Sequence, residues 1–117
     1  MSPELKDTAI KAKQSNVTEN AAEVEGPIHP GEHLAEILHE LGITQYRLAK
    51  TIGVPPIRVH DIVNCRRSIT VDSALRIGRA LGTTPEYWLN LQRMYDLEVA
   101  RSKTDTSAIE PLVQVSG

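Results

Sequence analysis

The sequence predicts an all-α fold of five helices, and three observations carry that prediction. Between Ile28 and Arg101, apolar residues recur at three- and four-residue spacing, the period of one helix face. Pro30, Pro56 and Pro85 stand where such runs begin, and Gly42, Gly53 and Gly82 where they stop. No run in this region alternates apolar and polar residues as a half-buried strand requires.

The first helix starts at Pro30, whose missing N–H costs nothing in a first turn. Leu34, Ile37, Leu38 and Leu41 form its inner face, and Gly42 ends it. Thr44 suits the N-cap of a short second helix through Ile52, with Leu48, Ala49 and Ile52 inward. Gly53 closes it. Pro55-Pro56 holds Val54 extended and opens a third helix, roughly Pro56 to Asn64, with Val59, Ile62 and Val63 inward. Thr70 caps a fourth helix to Leu81, with Asp72 well placed in its electropositive first turn. Thr84-Pro85-Glu86 opens a fifth, running to about Arg101.

These helices occupy residues 27–101, one domain. Residues 1–26 are rich in Lys, Glu, Ala, Ser, Thr and Asn, and bury too little apolar surface to offset their ordering entropy. They are expected to form a flexible arm, with 12–23 a transient helix. Residues 102–117 are expected to form a C-terminal tail with a short apolar cluster, Ile109, Leu112, Val113 and Val115.

At 117 residues the chain has room for one small domain and its tails. No stretch approaches the ~18 apolar residues of a membrane helix. MSPELKDTAIKAKQSN lacks the apolar block of a secretory signal, and the single Cys65 forms no internal disulfide, so a cytoplasmic location is expected. With one Trp, three Tyr and no Phe, the chain is poorly supplied to line a large ligand pocket, and no small-molecule substrate is expected.

Whole-chain charge is misleading. The total is −2, yet residues 44–79 carry seven Lys and Arg against Asp61 and Asp72 alone, a local excess of five positive charges. A basic middle between acidic flanks fits an anion-binding face, although a solvated helix surface gives the same count.

The informative stretch is QYRLAKTIGVPPIRVHDIVN, Gln45 to Asn64. Counted from Gln45, apolar residues occupy the fourth, eighth, tenth, fifteenth and eighteenth places, with Ala49 fifth and Gly53 ninth. Two helices crossing through a tight turn need a small residue where backbones approach, which Ala49 supplies. The turn needs positive φ, which Gly53 supplies. The apolar places lock the second helix of the pair and leave its other face free to enter a DNA major groove. An ordinary helical hairpin is the bland alternative, and it does not require Ala and Gly at those two places.

On that reading, Pro56, Ile57, Arg58, His60 and Asp61 are the base-reading residues. Arg58 has the fork for a bidentate guanine contact, and Ile57 the methyls for a thymine. Asp61 either accepts from cytosine or orients Arg58 from one turn away. Gln45, at a helix N-terminus, is placed for phosphate, as are Arg47, Asn64, Arg66 and Arg67. Arg47 and Lys50 read equally as phosphate contacts or as solvation. Arg76 and Arg79 read as plain surface charges.

The run HPGEHLAEIL, LGITQYRLAK, GVPPIRVHDIVNCRRSIT, ALRIGRALGTTPEYWLNLQRMYDL resembles the HigA/VapI antitoxins of the XRE (Cro/C1-type) helix-turn-helix group, over residues 28–101. The resemblance implies a lambda-repressor-like domain, and a homodimeric repressor of its own operon on a palindromic double-stranded DNA operator. It also implies neutralisation of a HigB-type toxin, a RelE-like mRNA endonuclease. The alternative is a stand-alone regulator of the same group without a toxin partner. Two features depart from the group. Asn64-Cys65-Arg66 stands where an Asn-Gly-Lys-like turn is common, and the arm of residues 1–26 is longer than usual. That arm is the preferred toxin contact, since disordered segments fold onto partners.

Independently of the resemblance, the fifth helix gathers Tyr87, Trp88 and Tyr95 within nine residues. Trp88 and Leu89 are expected in the core. Leu91, Met94, Tyr95 and Leu97 extend past the compact unit and are expected at a dimer interface. No metal site is expected: His33 and His39 lie six residues apart, off a shared helix face, and His29 precedes the helix. Cys65 reads as a passive small residue. No catalytic constellation, glycine-rich phosphate loop or cofactor motif is present, so an enzyme is not expected.

Overall fold

The computed structural model describes residues 26–114. The expected arm over residues 1–26 (all but Gly26), the expected helix over 12–23 and Val115 of the expected tail lie outside the described residues. Five helices follow one another: α1 (Pro30–Leu41), α2 (Gln45–Ile52), α3 (Pro56–Val63), α4 (Val71–Leu81) and α5 (Pro85–Lys103). Among the described residues there is no strand. The fifth helix runs two residues past its expected end, where the Thr104 N–H bonds the Ala100 carbonyl.

Threonine hydroxyls cap three of the starts. The hydroxyls of Thr44, Thr70 and Thr84 each accept the backbone N–H three residues on, from Arg47, Ser73 and Tyr87. Each satisfies one of the four N–H groups a helix start leaves open. The α1 cap is His29, the residue that precedes Pro30. Its Nδ1 accepts the Gly31 N–H at 2.9 Å while its ring is buried.

The helices pack as α2 on α3, α1 on α3, α2 on α4, α1 on α5 and α4 on α5. Leu34, Leu48, Ala49, Val59, Ile62, Ala74, Ile77 and Trp88 are wholly removed from solvent or nearly so. Trp88 is held in register by Nε1, which donates to the Thr83 hydroxyl at 2.6 Å. Leu41, Ile52, Val63 and Leu89, all expected inward, pack half-buried against that core. Gly31 lets α1 meet α3: a β-carbon there would overlap the Ile62 carbonyl. The HPGE segment therefore sets the seat of α3.

One correction concerns α5. Leu91, expected at a dimer interface, is 5% exposed and belongs to the chain's own core. Tyr95 is half-buried, its ring edge-on to His29 with centroids 4.9 Å apart. The stripe Trp88–Leu91–Tyr95 turns inward because α1 crosses α5 at that height.

Candidate nucleic-acid interface

The pair α2–α3 is built around the turn at Gly53. Gly53 has φ 73°, a left-handed conformation open to glycine at no steric cost. The next N–H, from Val54, returns to the Ala49 carbonyl at 3.0 Å, and Val54 is buried as a plug beneath the turn. Pro55 and Pro56 then set the direction of α3. Val59 and Ile62 pin α3 to the core at zero exposure, so the opposite face points out.

That outer face carries Pro56, Ile57 and His60, with Ile57 57% exposed. A shallow groove between the starts of α2 and α3 is lined by Gln45, Tyr46, Pro56, Ile57 and His60. Within it, Gln45 Oε1 lies 3.3 Å from His60 Nδ1, joining the two helices. Asn64 caps α3 from below, its Nδ2 donating to the His60 carbonyl at 2.8 Å and lying 3.3 Å from His60 Nδ1. Gln45, His60 and Asn64 thus form one exposed polar line along the groove.

Tyr46 belongs to this face and was missed by sequence reasoning. It is 59% exposed, with Lys50 Nζ 5.7 Å from its ring centroid. The signal available was a large aromatic one residue into a polar helix start.

Arg58 lies on the flank of α3, half-buried, and its Nη1 donates to Asp72 Oδ2 at 2.9 Å. Of the two readings of Asp61, orienting Arg58 gives way to this contact from α4. Arg76 is likewise more than a surface charge. It bonds both Asp72 oxygens and the Ile52 carbonyl. Hydrogen bonds from Arg76, and then Arg58, hold the Asp72 carboxyl below the usual carboxylate range.

Arg66 and Arg67 are exposed in the loop after α3. The loop is anchored at both ends. The Cys65 and Arg66 N–H groups bond the Ile62 and Asp61 carbonyls at 3.0 and 2.8 Å. Ile69 is buried, and its N–H donates to Gln92 Oε1 on α5 at 2.7 Å. Cys65 itself has φ 63°, so the turn keeps the left-handed geometry of a glycine without the glycine. Partial burial pushes its thiol pKa up, with the Glu32 carboxylate adding to the shift, which disfavours thiolate chemistry.

Arg47 is exposed on α2. Of the residues expected on phosphate, Gln45 lines the groove beside the Pro56–Ile57 patch, and Arg47, Asn64, Arg66 and Arg67 are exposed. Farther away, Met94 and Leu97 on α5 are 45% and 47% exposed. Among the described residues, no set of three His, Cys, Asp or Glu is grouped to hold a metal ion, and no helix is long and apolar enough to cross a membrane.

A helix-turn-helix family model matches residues 34–88, the span from α1 into α5. The chain is 44% identical over 87 residues to virulence-associated protein I of Dichelobacter nodosus, covering 73% of this chain and 81% of that protein. Among solved structures, a HigA-family addiction module antidote protein from Coxiella burnetii is 52% identical, with TM-score 0.65, over 67% of this chain and 86% of that one. The Pseudomonas aeruginosa antitoxin HigA, solved with the higBA promoter, is 41% identical, with TM-score 0.70, over 74% of this chain and 99% of that one.

Proposed function

Because the chain belongs to the HigA family of helix-turn-helix DNA-binding proteins, we propose that it is the antitoxin and autorepressor of a type II toxin–antitoxin operon. As a homodimer it binds a palindromic operator with α3 in the major groove and neutralises a HigB/RelE-like mRNA endonuclease. It does so in the cytoplasm, without catalysis or cofactor. The observation that carries the DNA half is the exposed outer face of α3, with Pro56, Ile57 and His60 outward while Val59 and Ile62 hold its back.

The chemistry divides by residue. Pro56, Ile57, His60, Asp61 and Arg58 reach base edges, with Ile57 offering methyls to thymine and Arg58 a fork to guanine. Gln45, Arg47, Asn64, Arg66 and Arg67 fix register on phosphates, aided by the open N–H groups at the start of α2. Twofold symmetry then presents two reading helices to half-sites about 34–36 Å apart, or a multiple of it. Met94 and Leu97 are the residues of α5 free to make that symmetric contact.

The toxin half is supported by the antitoxin identity of the relatives, and the segment assigned to it is residues 1–26. Co-purification from the native operon tests both halves. A small basic partner encoded next to this gene, retained by the full chain and released on deletion of residues 1–26, is the expected result. A chain that binds its upstream DNA and retains no such partner would make it a stand-alone regulator.

A further inference from the structure

Three helices meet in one run of charge-assisted contacts beside the reading helix. Arg76 on α4 donates from Nη1 to the Ile52 carbonyl at 2.7 Å, at the end of α2 where carbonyls lack partners within their own helix. Its Nε donates to Asp72 Oδ1 and Oδ2 at 3.2 and 3.0 Å. Asp72 Oδ2 accepts in turn from Arg58 Nη1 on α3 at 2.9 Å. The run therefore spans the Gly53 turn from outside, tying the end of α2 to the flank of α3 through α4.

Stability does not explain it. The side chains of Asp72, Arg76 and Arg58 are 56%, 44% and 31% exposed, and ion pairs so open to water contribute little. What the run provides is geometry. A guanidinium carries five donors, and Asp72 engages one Nη of Arg58, leaving the others for a second partner. A bidentate guanine contact needs the plane of that fork fixed, which a carboxylate behind it supplies. The same carboxylate carries a negative charge beside two arginines that would otherwise serve as sequence-blind phosphate contacts.

We propose that Asp72 is a specificity-determining positioning residue: it aims Arg58 at a base edge and withholds Arg58 and Arg76 from the phosphate backbone. The proposal rests on the reading of α3 as the DNA-reading helix. It makes a prediction of opposite signs. Losing Asp72 should weaken discrimination while strengthening binding to unrelated duplex, a combination that neither partial unfolding nor a lost contact produces.

The test begins with the full-length wild-type protein selecting its preferred duplex from a randomised library. Affinities for that duplex and for mixed-sequence duplex are then measured across a salt series for wild type, Asp72→Asn, Asp72→Glu, Arg58→Ala and the Asp72→Asn/Arg58→Ala pair. Asp72→Ser, whose side chain suits a first helical turn, is a second probe should Asp72→Asn melt early. The cognate-to-mixed ratio is expected to fall roughly fivefold or more for Asp72→Asn, at one base pair per half-site, with a steeper salt slope on mixed duplex. Asp72→Glu should recover much of the ratio, and adding Asp72→Asn to Arg58→Ala should lower it no further. A wild-type ratio in both Asp72→Asn and Asp72→Ser, or losses that add in the double variant, overturns the proposal alone. If the wild-type protein selects no sequence, the DNA-reading assignment of α3 falls with it.

Discussion

The side-chain carbonyl of Gln92 on α5 accepts the backbone N–H of Ile69 at 2.7 Å in a buried setting, across 23 residues of chain. The same side chain donates from Nε2 to Asp96 at 2.9 Å, which fixes which end of the amide faces the loop. The loop carrying Arg66 and Arg67 is thus moored to the fifth helix. Gln92→Leu leaves the Ile69 N–H buried without an acceptor, and should cost about 1–3 kcal/mol in chemical denaturation. Hydrogen exchange at Ile69 should accelerate more than exchange within α1. Unaltered protection there would show that the amide contact does not hold the loop.

Gly31 gives a sharper steric prediction. Its α-carbon faces the Ile62 carbonyl so closely that a methyl group cannot enter unless α1 and α3 separate. Gly31→Ala should lose about 3 kcal/mol, near the upper end for overpacking because the obstacle is backbone. Gly42→Ala is the matched control, with open space around its β-carbon but φ 66°. It should lose only about 1 kcal/mol, the cost of a left-handed alanine. Equal urea midpoints for the two variants would show that α1 is free to slide on α3.

Much of this fold was legible in the sequence, because local rules set it. Thr44, Thr70 and Thr84 cap as threonines at helix starts do, and Leu48, Ala49, Val59 and Ile62 face inward as their spacing requires. What was not legible depends on how helices cross. Leu91 shares a stripe with Tyr95, and spacing alone does not say where α1 will cover α5. Asp61 and Asp72 are both carboxylates within reach of some Arg58 rotamer; only the placement of α4 selects Asp72. His29 and Gln92 carried no periodic signal at all, since each acts through one hydrogen bond to a backbone N–H.

His29 makes stability depend on pH. Burial lowers its pKa below the usual 6.5, while the Asp96 and Glu32 carboxylates pull the other way. The ring must also keep Nδ1 unprotonated to accept the Gly31 N–H. The folded chain therefore binds this proton less readily than the unfolded chain. The contribution is complete above about pH 6.5 and fades as pH falls below it. His29→Asn keeps a cap acceptor and removes the titration, so its urea midpoint should vary less between pH 8 and pH 5 than that of wild type. Identical pH profiles would place the sensitivity elsewhere.

Arg66 and Arg67 are assigned to phosphate, which predicts a signature in salt rather than in sequence preference. Arg66→Ala and Arg67→Ala should each weaken cognate and mixed-sequence DNA alike. Each should flatten the slope of log affinity against log salt by about 0.9. Their exposure in an anchored loop means that neither change should shift the melting temperature appreciably. A slope that stays put after both substitutions would remove these residues from the contact.

The dimer assignment rests on α5 after the correction at Leu91. Met94 and Leu97 remain 45% and 47% exposed, three residues apart on one side of a helix that extends beyond the packed unit. A symmetric contact between copies needs such a surface; Leu91 is already committed to the chain's own interior, and Tyr95 is half-buried against His29. Met94→Asp and Leu97→Asp should therefore give folded monomers in sedimentation, with wild-type helix content. Leu91→Asp should instead unfold the domain, because it places a charge in the core. The two classes of variant separate an interface from a core within one helix. A dimer that survives both Met94→Asp and Leu97→Asp would move the interface off α5 and, with it, the spacing at which two copies of α3 meet DNA.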